Sequence, residues 1–320
     1  MTESMATADH APLTVWFLAG ATATGKSAVA QCLAEQTGRA ILSADAMLVY
    51  RRMDIGTAKP SPAERGDVPY FGVDLASPAE TFSTGLWLAD ARRALHAAPP
   101  AGLIVAGGTG LYLKALTDGL EGSACDPDAR ARWQARYAAE GIDGLRRALE
   151  ARSPGALNTL ADPANPRRLI RALEHLDAHG ALPTHWRHTQ RESPPIPALR
   201  LPREQLHARI ARRVEAMFAA GLIDEVRTLQ RDFPIWSETA RHAIGYAEVC
   251  ALLAGELTQA QAADRIAART RQLAKRQETW LRHQARVIWI DITDDEPPEN
   301  VARRVAEIWR LYGSSPVVLP

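Results

Sequence analysis

Residues 20–27, Gly-Ala-Thr-Ala-Thr-Gly-Lys-Ser, fit the pattern G-x-x-x-x-G-K-[ST], and their flanks narrow the folds open to this chain. In front runs Thr14-Val-Trp-Phe-Leu-Ala19, short and almost wholly apolar, as a buried strand is. Behind comes Ala28-Val-Ala-Gln-Cys-Leu-Ala34, whose apolar residues recur at helical spacing. A strand, a glycine-bounded loop and a helix in that order form a phosphate cradle. The glycines let successive backbone N–H groups turn inward and the helix N-terminus adds partial positive charge. Gly20, Ala21, Thr22, Ala23, Thr24, Gly25, Lys26 and Ser27 are therefore expected to hold a diphosphate or triphosphate. Lys26 supplies a mobile cation, and the Ser27 hydroxyl can hold Mg2+.

Further strands are expected at Ala40-Ile-Leu-Ser-Ala44, stopping at Asp45, and at Leu103-Ile-Val-Ala106, stopping at Gly107-Gly108. Val287-Ile-Trp-Ile-Asp291 reads as a last strand, followed by an acidic turn and a terminal helix. Strands alternating with helices predict an α/β fold, a P-loop NTPase-like core whose parallel sheet is flanked by helices. Between about 121 and 193 the texture changes. Asp128–Ala151 and Pro166–Asp177 have helical spacing and no strand-like run intervenes. The expectation is a core of 1–120 and 194–320 with an all-helical insertion domain at 121–193. The Pro-rich 193–202 returns the chain to the core, and helices dominate from Arg203 to Arg286.

The formal charge of the 320 residues is only +1, which excludes a uniformly basic nucleic-acid coat; a polyanionic partner must find its charge locally. One segment offers it. Between Arg265 and Arg286 stand seven basic residues against the single acid Glu278, a local +6 that also contains Trp280. A solvated helix face is the default reading of such a run, but the interleaved Gln and Trp favour phosphate-backbone binding. Cys32, Cys125 and Cys250 are too scattered for a disulfide framework or a zinc ribbon. The first fourteen residues lack an apolar core, and no window approaches a membrane span. A cytoplasmic protein, not attached to a membrane, is expected. His175, His179, His185 and His188 cluster in the insertion; the first pair has i, i+4 spacing and could bind metal, but no obvious ligand set is completed.

What occupies the cradle depends on the other strand ends. A P-loop NTPase would place an Asp at the end of a second hydrophobic strand for the magnesium shell. Here the strand Leu103–Ala106 runs into Gly107-Gly108-Thr109, and Asp45 is the carboxylate facing the loop, suited to a metal, base or substrate-hydroxyl role. A small-molecule kinase fits the first 120 residues, though neither the insertion nor the basic segment. An RNA-binding protein with a vestigial loop would have no need of Asp45.

Six ordered motifs resolve the choice by resemblance. GATATGKS, LSADAMLVYRRMDIGTAKP (42–60), VAGGTGLYLKAL (105–116), NPRRLIRALE (165–174), AIGYAEV (243–249) and RQLAKRQETWLR (271–282) together resemble the bacterial tRNA dimethylallyltransferases, or tRNA isopentenyltransferases, over nearly the whole chain. The resemblance implies transfer of a dimethylallyl group from dimethylallyl diphosphate to N6 of the adenosine 3′ to the anticodon, in tRNAs reading codons that begin with U. It gives Asp45, Thr22, Arg213 and Thr109 catalytic roles, with Arg213, before Met217, matching the arginine of an R-h-x-x-M helix. It also implies contacts to the tRNA anticodon stem-loop from Asp45, Ala46, Met47, Leu48, Thr109, Arg130, Arg167, Arg168, Arg171, His242, Gly245, Tyr246, Lys275, Arg276, Gln277, Trp280 and Arg282. Mg2+ would assist at Ser27, and a monomer would suffice. Transfer to a free adenine nucleotide, as in cytokinin-forming relatives, is the alternative within this chemistry.

Two positions depart from the family pattern. Where the family reads D-S-x-Q, this chain has Asp45-Ala46-Met47-Leu48, so two hydrogen-bonding side chains are missing. Losing a base-edge contact relaxes selectivity by ~1–3 kcal/mol. Ala21 replaces the proline after the first loop glycine and should preserve the loop. No C-terminal Cys/His finger of the eukaryotic kind is present.

Overall fold

The computed structural model describes residues 13–119, 126–160, 162–182 and 194–318. The chain divides into two compact units, Met1–Gly119 with Thr189–Pro320, and Leu120–His188. The first is built on a sheet of β1 (Thr14–Gly20), β2 (Ala40–Ala44), β3 (Tyr70–Phe71), β4 (Leu103–Gly107), β5 (Ile196–Arg200) and β6 (Val287–Asp291), in the order β3-β2-β4-β1-β5-β6. All these pairings are parallel; β7 (Ser315–Pro316) pairs antiparallel with β1. Its helices are α1 (Lys26–Thr37), α2 (Pro62–Arg65), α3 (Thr84–Ala97) and α4 (Gly110–Thr117). The second unit contributes α5 (Pro127–Arg152), α6 (Ala156–Thr159) and α7 (Pro166–His179). The first then resumes with α8 (Arg203–Ala219), α9 (Leu222–Asp232), α10 (Glu238–Arg241), α11 (Tyr246–Leu253), α12 (Gln259–Gln284) and α13 (Pro298–Tyr312).

Burial on both faces explains the apolar runs. All five residues of β2 are buried, and β1 is buried from Phe17 onward. Two buried tryptophans satisfy their indole N–H groups on the sheet: Trp87 donates to the Ser43 carbonyl at 2.9 Å and Trp309 to the Phe17 carbonyl at 3.0 Å. The parallel arrangement brings the carboxyl ends of β1, β2 and β4 to the same edge, where Gly20, Asp45 and Gly107 leave the sheet. In an open α/β sheet this edge is where ligands sit.

Three departures from the sequence reading have physical causes. The return segment forms an interior strand, β5, although its prolines argue against one. The β1–β5 ladder begins only at Ala198, so the N–H that Pro197 lacks is not required. The helix expected at 128–151 is broken at Gly141, whose φ of 65° and ψ of −164° interrupt α5. Third, β3 and β7 are two-residue strands, too short for periodicity to reveal. In the second unit, α7 starts on an Asn165 cap with Pro166 in the first turn and packs Leu169, Leu173 and Leu176 against Leu145 and Leu149 of α5.

Candidate active site

The cradle is made by the chain leaving β1. Gly25 takes a left-handed conformation, φ 83° and ψ 7°, and no side chain caps α1. The first amides of that helix are therefore not spent on a cap. Thr24 Oγ1 donates to the Ala21 carbonyl at 2.9 Å, and Lys26 Nζ reaches the same oxygen at 3.2 Å. Ala23 also has a positive φ of 65°, strain that a loop shaped around a ligand can carry. The Thr22 N–H is held by Gln277 Oε1 at 2.7 Å.

Opposite the loop stand an arginine and a carboxylate. Arg213 on α8 directs Nη1 to Thr22 Oγ1 at 3.4 Å and Nη2 to the Thr57 carbonyl at 3.2 Å. Its Nε is buried without a partner among the described residues. Asp45 follows β2, its Oδ1 accepting the Met47 N–H at 2.9 Å. Thr109, at the end of β4, accepts the Ala46 N–H on Oγ1 at 3.0 Å and donates its own N–H to the Ala44 carbonyl at 3.0 Å. The two strand ends are stitched together by these bonds. A cleft lined by Thr22, Lys26, Ser27, Ser43, Asp45, Thr57, Tyr70 and Arg213 opens here, its apolar wall made by Ala30, Ile41, Leu48, Ala58, Pro60 and Ala106.

The electrostatics of the cleft are set by burial and by three charged groups. Burial lowers the Lys26 pKa to about 8, with the Arg213 charge adding to the drop and the Asp45 carboxylate opposing it. Burial likewise depresses Arg213, again opposed by Asp45. The Tyr112 hydroxyl is pushed up by burial, then by Asp45 and Tyr50. Two cations share a poorly solvated cleft with one carboxylate, an arrangement that an anionic ligand would relieve. For such a ligand, kcat/KM should fall as pH rises through about 8, because Lys26 then loses the proton that makes it a cation. A pH profile checks this. Lys26→Arg, which stays charged, should remove the fall; a wild-type profile flat past that region would contradict it.

The 53–60 stretch, part of the cleft wall, is positioned by Glu225, which the sequence reading does not single out, and by Tyr246, which it expects at RNA. Glu225 on α9 accepts N–H groups from Asp54, Ile55 and Gly56 at 3.1, 2.8 and 3.3 Å, and the Tyr246 hydroxyl at 2.6 Å. Gly56 lies against the Tyr246 ring, and a Cβ there would collide with it. Lys59 is buried and fully used, by the Tyr50 carbonyl at 2.6 Å and by Asp74 and Asp54 at 2.6 and 2.7 Å. The acid in Gly-Leu-Ile-Asp-Glu225 was the available signal, but its partners lie some 170 residues away.

Several residues expected at RNA are placed otherwise. Tyr246 is fully buried, its hydroxyl donating to Glu225; Gly245 beside it is buried, its N–H held by Glu248. Gln277 is buried against the phosphate loop instead of facing outward. The ring of Trp280 packs on Gly110, where a Cβ would collide with it. Leu48 is buried in the cleft wall, with Ala46 and Met47 half-buried beside it. Lys275, Arg276 and Arg282 are exposed along α12, and His242 is exposed with its carbonyl accepting from Arg269 at 2.8 Å. In the second unit, Arg130 and Arg171 both pair with the buried Glu174, at 2.7 and 3.2 Å, while Arg167 and Arg168 are exposed in the first turn of α7. The His175 and His179 rings lie 4.5 Å apart, and His175 Nδ1 is 2.9 Å from the Ala181 carbonyl. Cys125, His185 and His188 lie outside the described residues. Among the described residues no helix is long and apolar enough to cross a membrane.

The fold and cleft define a P-loop protein whose cradle faces a carboxylate across the carboxyl edge of a parallel sheet. Comparison with known proteins makes the class specific. The IPP transferase family matches residues 48–284 and the isopentenyl transferase family residues 13–68. The chain is 40% identical over 304 residues to the tRNA dimethylallyltransferase of Kineococcus radiotolerans, covering 90% of this chain and 94% of that protein. It is 42% identical over 296 residues to the tRNA dimethylallyltransferase of Anaeromyxobacter dehalogenans, covering 90% and 97%. The crystal structure of the full-length tRNA isopentenylpyrophosphate transferase of Bacillus halodurans superposes with a TM-score of 0.62 at 31% identity, covering 93% of this chain and 99% of that one. A eukaryotic dimethylallyltransferase acting on tRNA shares the fold, with a TM-score of 0.72 at 22% identity, over 94% of this chain and 76% of that one. The chain belongs to the IPP transferase family of tRNA dimethylallyltransferases.

Proposed function

We propose that this enzyme transfers the dimethylallyl group of dimethylallyl diphosphate to N6 of the adenosine 3′ to the anticodon, in tRNAs reading codons that begin with U. The observation that carries the reading is the facing of Asp45 and the Lys26–Arg213 pair across one cleft. The allylic C–O bond breaks with carbocation character at carbon, and its electron pair leaves on the diphosphate. Lys26, Arg213 and the loop amides stabilise the charge where it develops. The N6 lone pair, delocalised into the adenine ring, forms the new C–N bond, and the Asp45 carboxylate accepts the displaced proton. Thr109, tied to Ala46 beside Asp45, orients the same nucleotide. Ile41, Leu48 and Ala30 give the prenyl chain an apolar wall.

The donor set suits a magnesium ion bound mainly through substrate. Ser27 lines the cleft beside Lys26, and no cluster of three metal-ligating side chains occurs among the described residues. Mg2+ typically takes one or two protein oxygens and completes its shell with phosphates and water. Ser27 would hold it, and the ion would add positive charge at the departing diphosphate. The basic side of α12 and the first turn of α7 would hold RNA phosphates, the reaction running in the cytoplasm on a monomer.

Incubation with Mg2+, labelled dimethylallyl diphosphate and an anticodon stem-loop bearing consecutive adenosines should label the RNA. Phosphorylation of a metabolite from ATP without prenyl transfer would replace this reading with a kinase. Lys275→Gln with Arg276→Gln should weaken stem-loop binding and lower its salt slope by roughly one to two. An unaltered slope would make α12 a solvated face only.

A further inference from the structure

We infer that Gln277 is a positioning residue for the diphosphate half of the reaction, holding the peptide N–H of Thr22 while Arg213 reaches its side chain. The inference rests on the reading above that dimethylallyl diphosphate occupies the cleft. On α12 the residues Ala274, Gln277 and Leu281 are all buried, while Lys275 and Arg276 are exposed. An amide turned inward on such a face is costly unless it is hydrogen-bonded. Gln277 Oε1 meets that need by accepting the Thr22 N–H at 2.7 Å, across 255 residues of chain. On its other side the Gln277 amide lies against Gly108, where a Cβ would come within 2.6 Å of Nε2.

Thr22 is thus gripped at both ends. Gln277 fixes the orientation of its peptide N–H, and Arg213 reaches its side-chain oxygen at 3.4 Å. A backbone N–H in a phosphate loop is free to turn toward an anion. Holding this one on a neutral acceptor sets the rotation of the peptide before substrate arrives, and leaves the amides after Thr22 for the diphosphate. A glutamate could accept the same bond but would place a negative charge against the leaving group, so the amide serves both requirements. One turn further on, Trp280 covers Gly110, next to Thr109. The buried side of α12 therefore braces both loops that carry the chemistry, the outward side bearing Lys275 and Arg276.

Gln277→Leu should lower kcat/KM for dimethylallyl diphosphate about 10²-fold, the usual result of a loop displaced by about 1 Å. Stem-loop affinity should stay within about twofold, since Gln277 is not on the exposed face. Gln277→Glu, which keeps an acceptor, should recover most of kcat but raise KM for dimethylallyl diphosphate by about tenfold or more, through charge repulsion. That split between kcat and KM would not follow from loosened packing. Binding of inorganic diphosphate is measured in parallel and should weaken in both variants. Wild-type kinetics in Gln277→Leu, or loss of stem-loop affinity with diphosphate kinetics unchanged, would overturn the inference. If the wild-type protein transfers no prenyl group, the reaction proposed above fails, and Gln277 is then judged on diphosphate binding alone: unchanged affinity in both variants overturns its role.

Discussion

Asp45→Asn is expected to lower kcat by about 10²–10⁴-fold while leaving stem-loop affinity within a few fold. The asymmetry follows from what Asp45 does in the cleft. Asn keeps the size and an acceptor oxygen, so the bond from the Met47 N–H survives and the turn after β2 holds its shape. What it loses is the ability to take the proton that N6 must shed. The substitution also removes the negative charge that supports Lys26 and Arg213. Well below pH 8, where Lys26 keeps its proton, loss of a carboxylate facing the anion should leave KM for dimethylallyl diphosphate level or lower as kcat collapses; toward pH 8 KM should rise, because Lys26 without Asp45 gives up its proton earlier. Steady-state kinetics with the stem-loop held at saturation separate the two constants. Unchanged turnover would remove Asp45 from the mechanism.

The second large effect is expected at Arg213. Its guanidinium spans Thr22 Oγ1 and the Thr57 carbonyl, and its buried Nε has no partner among the described residues. A planar fork with a donor in reserve matches a diphosphate, whereas a lysine offers a point charge at one position. Arg213→Lys should cost about 10²–10³-fold in kcat, the range for losing one donor to developing negative charge. Burial of the new ammonium beside Lys26 should also lower its pKa, so the loss should deepen as pH rises. Single-turnover rates across pH check this; a variant within tenfold of wild type would place the leaving-group charge elsewhere.

The loop half of this cleft is legible because its residues are local. Gly20–Ser27 run consecutively from the end of a strand into the start of a helix, and the groups they offer are those of the backbone itself. Asp45 was legible for a similar reason, standing at the end of an apolar strand. The rest depends on contacts between distant segments. Gln277 and Tyr246 sit in motifs next to basic or exposed residues, and in a sequence they read as part of the same surface. Only the fold shows that helical rotation turns Gln277 in toward Thr22 and that Tyr246 closes over Gly56. The β5 strand was hidden by its own prolines, tolerable because the ladder to β1 starts after Pro197. The replacement of the family's serine and glutamine by Ala46 and Leu48 is partly answered in the cleft. The Ala46 N–H still meets Thr109, and Leu48 joins the apolar wall.

The atom that receives the prenyl group distinguishes this reaction from its alternatives. After reaction with labelled dimethylallyl diphosphate, the stem-loop is digested to nucleosides and analysed by mass spectrometry. A matched stem-loop carrying a purine without the 6-amino group at the position 3′ to the anticodon is treated alongside. N6-dimethylallyladenosine from that one position, and no label on the matched RNA, is the predicted result. Label on the matched RNA, at another adenosine, or on AMP in preference to the stem-loop would contradict it.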